Sequence, residues 1–511
     1  MAEAPTSDAL DDHGPPPQLE RLVGVGAAWK LVGQIGVQGI RLATVAILAR
    51  LLAPADYGAA AIVIAFAAFA PTVADVGMGS ALVQTGAAPQ RVRSTAFWAS
   101  LAFGVVISAT VAISAGPMGA FLDDPRVGTM VAVGGLVFAI YSLGSTSQAV
   151  FMREMKFRSI ELRYWFALLV ASPLAVIAAS LGAGPWALVL QQITLLATFV
   201  AALWWRSGWR PTFEFSGAVF RQLASFAVRI AGGRWARLAE LLVLSLLIGK
   251  LAGVPALGAW SFAMSTVVLP LSLIAIPIAE VLFSAFSRLR DNRERIAALW
   301  LKSIGFLAAV ILPLLLGLVV IAPDLIPVVF GSQWRVSVAI IQILCALVII
   351  RSLQAWNSVV MDAVGRPQVT LWTQLAALCL TPVAVVVGVH WSLEGVAVCF
   401  VLGQLIAVEV PMLIIVLSEL RVSLRTVAAQ LSGVAAATLV MTTACLLGRQ
   451  ALFMLGVGMA GRAALTIALG VVVYAVALRW FAPDITRRAI VLFRRLLAKV
   501  IGARRRRVLQ P

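Results

Sequence analysis

The chain has 511 residues, of which 61% are hydrophobic and only 12% charged, with a formal net charge of +18. A soluble protein of that length cannot hide so much apolar surface, and the apolar runs reach the roughly 20 residues a helix needs to cross the hydrocarbon of a bilayer. The composition therefore excludes a soluble enzyme or nucleic-acid-binding protein and points to an all-α polytopic membrane protein, its basic excess belonging to topology.

Residues 1–20 carry Glu3, Asp8, Asp11, Asp12 and Glu20 beside the Pro15–Pro17 run, the reverse of the basic start of a signal peptide, and read as a disordered, acidic cytoplasmic lead. About fourteen spans follow, beginning near residues 24, 57, 94, 128, 161, 184, 222, 256, 296, 337, 368, 394, 425 and 453. An even number puts both termini on one side. Internal loops on that side hold 16 Lys and Arg residues, from Arg91 and Arg93 through Arg158 and Arg290 to Arg421 and Arg425, whereas the opposite loops hold five: Arg50, Arg126, Lys250, Arg335 and Arg449. By the positive-inside rule the basic side, with both termini, is expected in the cytoplasm.

Seven cations (Lys30, Arg41, Arg229, Arg234, Arg237, Arg351 and Arg462) interrupt stretches that otherwise read as spans. An Arg near the bilayer centre costs about 3 kcal/mol on insertion scales, so such residues face protein or a wet cavity, and an anionic ligand is the natural partner. Lys30, Gln34, Gln38 and Arg41 recur at spacings of four, four and three, which confines them to one face of the first span. Arg229, Arg237 and Glu240 share an arc of the seventh span with Arg234 at its edge, and Arg351 in the tenth is followed by Gln354 and Asn357. The candidate cavity lining is thus Lys30, Gln34, Gln38, Arg41, Arg229, Arg234, Arg237 and Arg351. The competing reading for each is a snorkelling side chain or a structural ion pair, such as Arg237 with Glu240 at i+3. Arg462, in the last helix pair, reads as a packing or lipid contact, and Asp75 as a turn-shaping residue. Glu240, and Glu409 between Gln404 and Pro411 in the twelfth span, are the candidate ion-coupling carboxylates.

Chemistry of other kinds finds no support. Cys345, Cys379, Cys399 and Cys445 lie inside predicted spans without a CxxC and read as buried core residues, His13 and His390 are far apart, and Gly249–Lys250 continues into Leu251, so no phosphate-binding loop exists. No metal, cofactor or catalytic residue is expected, and no ATP hydrolysis by this chain.

An internal repeat organises the spans. ILARLLAPADYGAA from Ile47 overlays LIGKLAGVPALGAW from Leu247 at an offset of 200 without a gap, matching Arg50 with Lys250, Leu51 with Leu251 and Gly58 with Gly258. Six spans separate the copies, so they share one orientation, as in parallel-repeat transporters. The expected organisation is an N-lobe of six helices over 21–215, a C-lobe of six over 216–420, an additional helix pair over 421–482 and a basic amphipathic cytoplasmic tail over 483–511. In the tail, Arg487, Arg488, Arg494, Arg495 and Lys499 oppose Ile490, Phe493, Leu496, Leu497 and Val500, a pattern suited to anionic lipid headgroups.

Several segments resemble the polysaccharide-biosynthesis flippases of the multidrug/oligosaccharidyl-lipid/polysaccharide superfamily, in particular the colanic-acid exporter type: LARLLAPADYG (Leu48 to Gly58), ADVGMGSALVQ (Ala74 to Gln84), STAFW (Ser94 to Trp98), FMREMKFRS (Phe151 to Ser159), GPWALVLQQ (Gly184 to Gln192), LIGKLAGVPALGAWSFA (Leu247 to Ala263) and VVFGSQW (Val328 to Trp334). The resemblance covers about residues 24 to 420. One departure is Leu244–Ser245, where members often carry an Asp–Asn pair. What the resemblance implies is alternating-access movement of an undecaprenyl-diphosphate-linked oligosaccharide across a bacterial cytoplasmic membrane, with polysaccharide polymerase or assembly proteins as further partners. A cation antiporter of the same superfamily, a peptidoglycan-precursor flippase and a membrane-embedded polymerase or ligase are the alternatives. A basic cavity disfavours the antiporter, and loops of about fifteen residues disfavour the enzyme.

Overall fold

A computed structural model describes residues 36–73, 89–154, 156–205, 208–289, 292–354, 356–484 and 487; in some helical stretches, among them 223–234 and 270–280, it describes the backbone alone. Lys30, Gln34, Asp75 and the basic tail beyond Arg487 lie outside the described residues. The described chain is helical throughout. In order the helices are α1 (36–51), α2 (Pro54–Val73), α3 (Gln90–Phe121), α4 (Pro125–Gly134), α5 (Leu136–Arg153), α6 (Phe157–Ser180), α7 (Trp186–Trp205), α8 (Gly217–Leu251) and α9 (Val254–Arg288). They continue as α10 (Arg293–Phe330), α11 (Val336–Leu353), α12 (Asn357–Val364), α13 (Pro367–Val389), α14 (Leu393–Gln404), α15 (Val410–Leu420), α16 (Leu424–Met454) and α17 (Met459–Phe481).

Eleven helical segments among the described residues are long and apolar enough to cross a membrane. Three of them are jointed: α4 with α5, α11 with α12, and α14 with α15 each make one span. Helices α1, α8 and α9, at the positions expected for the first, seventh and eighth spans, are not among the eleven. The chain is a multi-pass membrane protein.

Local chemistry sets the ends. Asp124 caps α4 by accepting the Arg126 amide at 3.0 Å ahead of Pro125, Asn292 caps α10 through the Arg295 amide at 3.0 Å, and Ser423 caps α16 through the Thr426 amide at 3.2 Å. Each satisfies one of the donors a helix start leaves orphaned. Gly331, at φ 108°, takes a backbone conformation L side chains avoid and turns the chain from α10 into the Ser332–Arg335 turn. Between α14 and α15 lies a π-helical turn, Leu405–Glu409. Its cause is local: Pro411 has no amide hydrogen and its ring crowds the carbonyl four residues back, which the wider turn relieves.

Two glycines that the 200-residue offset pairs lie in contact. Gly58 on α2 and Gly258 on α9 meet so closely that a β-carbon on Gly58 would sit 1.9 Å from the Val254 carbonyl oxygen, and one on Gly258 would sit 1.7 Å from that of Pro54. Two residues related by the 200-residue offset thus touch each other's helix starts. An aromatic cluster flanks the contact: Phe262 stacks on Trp334 at 4.1 Å, and Tyr57 meets Trp334 edge-on at 4.9 Å. The Trp334 indole donates to the Ala49 carbonyl at 2.8 Å.

The last pair, α16 and α17, pack on each other and on α10. Tyr474 donates to the Ala309 carbonyl at 2.6 Å, and Asp324 of α10, 2% exposed, takes both Arg449 and Arg462. Arg462 is therefore held inside the protein. The cysteine expectation needs correction: Cys345 and Cys445 are buried, but Cys379 is exposed and Cys399 half-buried, because α13 and α14 turn apolar outer faces toward lipid and a thiol is apolar enough to join them.

Candidate functional site

Within the second lobe, four helices bring their polar side chains together. Arg351, near the end of α11, donates from Nε to Glu409 at 3.3 Å and from Nη2 to Gln404 at 2.7 Å. Gln404 passes the interaction on, donating its amide to Glu240 of α8, which also accepts the Thr381 hydroxyl of α13 at 3.1 Å. Glu240, Gln404 and Glu409 are at most 6% exposed, whereas Arg351 keeps 29% of its side chain accessible. Burying two carboxylates in a membrane protein is costly unless each is paired or hydrogen-bonded, and the network meets that need.

The π turn makes this constellation possible. On a regular α-helix Gln404 and Glu409, five residues apart, would lie about 140° apart, on different faces. The extra residue in the turn swings Glu409 back so that both reach Arg351.

Arg237, one turn before Glu240 on α8, completes the group. It lies in the field of Arg351, Glu240 and Glu409, and its side chain is exposed. Two guanidinium groups and two carboxylates balance in charge, but the carboxylates are the buried members and the guanidinium groups the accessible ones.

The sequence-expected residues fare unequally. Gln38 is buried at 6% and does not present the wet surface its spacing suggested, because α1 turns it into the packing against neighbouring helices. Arg41 is exposed, donates to the Tyr164 hydroxyl of α6 and lies 5.6 Å from that ring. Arg229 and Arg234 lie on α8, with only their backbone described. Glu240 is hydrogen-bonded to Gln404 and Thr381 in place of the i+3 pair with Arg237, since the latter points to the accessible side. Asn357, six residues after Arg351, is 1% exposed and accepts the Trp300 indole at 3.0 Å. Thr381 was missed, because a hydroxyl within an apolar span carries no signal without the rotation of its helix.

A second polar constellation spans the lobes. Arg50 donates to the carbonyls of Val329 at 2.9 Å and Val328 at 2.5 Å, at the end of α10. Lys250, its counterpart in the repeat, pairs with Asp123 at 2.8 Å, just past the end of α3, and lies 5.6 Å from the Phe121 ring. Each lobe thus sends one cation to the C-terminal end of the third long helix of the other. There the unpaired carbonyls and the helix dipole favour positive charge.

Comparison with known proteins agrees with this architecture. The solved structure of the lipid II flippase MurJ in an inward closed conformation superimposes with a TM-score of 0.69 at 13% identity, covering 89% of this chain and 99% of that one. An inward-facing multidrug-resistance transporter of the MATE family gives 0.60 at 15% identity, over 77% and 99%. The fold is that of the multidrug/oligosaccharidyl-lipid/polysaccharide superfamily. Residues 47–339 match the family model described as polysaccharide biosynthesis protein, and the chain belongs to that family. It is similar to the lipopolysaccharide biosynthesis protein WzxC of Escherichia coli (strain K12), 24% identical over 75% of this chain and 78% of the relative. It is also similar to the succinoglycan biosynthesis transport protein ExoT of Rhizobium meliloti (strain 1021), 25% identical over 70% and 73%.

Proposed function

We propose that the protein is a flippase that moves a lipid-linked oligosaccharide, joined to its polyprenyl carrier through a diphosphate, across the cytoplasmic membrane for surface polysaccharide synthesis. Family membership and the similarity to polysaccharide transport proteins support the reading. The observation that carries it is the placement of charge in the second lobe: Arg237 and Arg351 keep accessible surface while Glu240 and Glu409 are buried behind them. Guanidinium groups bind phosphate through paired, charge-assisted hydrogen bonds, so this wall suits an anionic head group. Its tail stays in lipid. In this reading Lys30, Gln34, Arg41, Arg229 and Arg234 extend the same lining.

Both termini and the sixteen-cation side lie in the cytoplasm, and the contact built on Arg50, Lys250, Gly58 and Gly258 closes the opposite end. The protein works as a transporter without an enzymatic step of its own. An ion gradient drives it, with Glu409 and Glu240 as the groups whose protonation would free Arg351. Phosphate on the substrate and the Glu409 carboxylate then compete for one guanidinium, which links ion and substrate.

The test is flipping of a fluorescent lipid-linked glycan in proteoliposomes. The Arg237→Ala/Arg351→Ala protein is expected to lose most of the rate per reconstituted molecule, while Lys replacements lose less. Wild-type flipping by the double alanine variant would overturn the reading. A protein that exports organic cations and ignores the glycan would establish the antiporter instead.

A further inference from the structure

The Asp324 cluster carries more positive charge than it neutralises. Arg462 is fully engaged: it donates twice to Asp324 Oδ1, at 3.1 and 2.5 Å, and to the Val457 carbonyl at 3.2 Å, with the Phe453 ring 5.1 Å from its guanidinium. Arg449 reaches the other carboxylate oxygen through Nε at 2.5 Å. One carboxylate between two guanidinium groups leaves a net charge of +1. The two terminal nitrogens of Arg449 and the side-chain amide of Gln450 have no partner among the described residues. A cleft of about 220 Å³ opens beside them, lined by Arg449, Gln450 and Phe453. One water takes up about 30 Å³, so the cleft has room for a polyatomic anion.

Position adds to the argument. Arg449 lies near the end of α16 that approaches the loop to α17, and Arg335 from the Ser332–Arg335 turn meets Met459 Sδ across that loop at 3.9 Å. This is the end of the bundle that carries Arg50 and Lys250, the side poor in basic residues. A guanidinium there is not explained by topology. Around it the surface is apolar: Leu446, Leu447, Met454 and Leu455 are exposed. A charged recess framed by lipid-facing side chains, with a forked donor at its base, fits the phosphate of an amphiphile better than a soluble sugar or a metal ion.

We propose that Arg449 and Gln450 form a phosphate-binding site on the additional helix pair, separate from the second-lobe wall and independent of what the protein transports. Arg449 supplies its two terminal nitrogens to the phosphate oxygens, the Gln450 amide adds a third donor, and Asp324 with Arg462 holds the guanidinium in place from behind. The phosphate belongs to a lipid headgroup in the adjoining leaflet or is free in solution; the chemistry of recognition is the same.

The experiment is native mass spectrometry of the purified full-length protein in detergent, titrated with dioleoyl-phosphatidylglycerol, with dioleoylglycerol as the same tails without phosphate, and with inorganic phosphate. The wild type is expected to retain one phosphatidylglycerol and no dioleoylglycerol. Arg449→Ala should weaken that retention by about tenfold or more, since it removes both charge-assisted hydrogen bonds from the guanidinium. Because Arg449→Ala also unpairs Asp324, the decisive variant is Gln450→Glu, which leaves the ion pairs intact and places a negative charge in the cleft; it should lose the lipid with an unchanged melting temperature. Displacement of the lipid by millimolar phosphate would assign the site to free phosphate, and resistance to it would assign the headgroup. Equal retention by Gln450→Glu and the wild type, or equal binding of dioleoylglycerol, would overturn the proposal.

Discussion

The contact around Gly58 and Gly258 and the polar network around Arg351 treat the 200-residue offset in opposite ways. At one contact, residues paired by the 200-residue offset take similar places: Gly58 and Gly258 sit against each other's helix starts, and Arg50 and Lys250 reach the ends of α10 and α3. Away from the contact the likeness ends. The second lobe contains a chain of five hydrogen-bonded polar side chains around a π turn; in the first, Arg41 donates to Tyr164, Gln38 is buried, and Ser94 and Gln90 at the start of α3 bond Thr212 and Trp209. Two surfaces that close on each other must match on both sides, so a change in either is felt by the pair. An interior faces no such constraint, and one lobe can specialise.

The sharpest way to break the symmetric part is to fill it. Gly58→Val and Gly258→Val each place carbon atoms inside a backbone carbonyl that cannot move aside without parting the helices. Both variants are expected to abolish flipping in proteoliposomes, by similar factors, because each blocks the same contact. Cross-linking of a Cys pair at positions 123 and 250 should fall in both, while the protein is still made and inserted. A large effect from one glycine and none from the other would show that the contact is not shared equally.

The specialised part should respond on one side only. Arg351→Ala strands Glu409 and weakens Gln404, and removing one partner of a largely buried ion pair costs about 3 kcal/mol. Replacing both partners, as Arg351→Met with Glu409→Gln, should restore most of the thermal stability but not transport, since only one of the two guanidinium groups, that of Arg237, remains for phosphate. Recovery of transport along with stability would reduce Arg351 to a packing residue. The matching change in the first lobe, Arg41→Ala, removes a contact at an exposed site and should alter melting by less than about 1 kcal/mol.

The sequence revealed unequal shares of these features. Helical spans were legible because hydropathy is a property of segments and survives uncertainty in helix rotation. The pairing of Glu240 with Gln404 was not, since spacing on α8 favoured Arg237 and nothing in one helix announces the face of another. Pro411 was in plain view. Read as a cause of local widening, it would have placed Gln404 and Glu409 on one side, which regular α-helical spacing forbids. Asn357, noted only as a polar neighbour of Arg351, is the acceptor that the buried Trp300 indole needs in the core.

A gentler probe of the contact is exchange of charge. Lys250 and Asp123 are both well exposed, with side chains 36% and 73% accessible, so their pair contributes less than about 1 kcal/mol. Lys250→Asp should lower the flipping rate in proteoliposomes by a factor of a few, and Asp123→Lys added to it should restore the rate. Arg50 grips backbone carbonyls that no substitution removes, so Arg50→Ala should have the larger effect of the two cations.

The smallest expected effect concerns a single turn beside that contact. Asp124 caps α4 and is held below the ordinary carboxylate range, first by its side-chain hydrogen bond to Arg126 and further by the Arg126 amide, against the opposing effect of burial. A depressed folded-state pKa means that the stabilisation is complete above the unfolded value of about 3.9 and is lost as pH falls through the lower folded value. At neutral pH the cap is therefore at full strength, and it weakens only under acid conditions. Asp124→Asn keeps an acceptor for the amide but gives up the charge, so it should cost about 0.5 kcal/mol at pH 7 and next to nothing at pH 2. Melting curves of the two proteins should converge as the pH is lowered from 5 to 2; curves that stay parallel would show that the Arg126 pair contributes nothing to the turn.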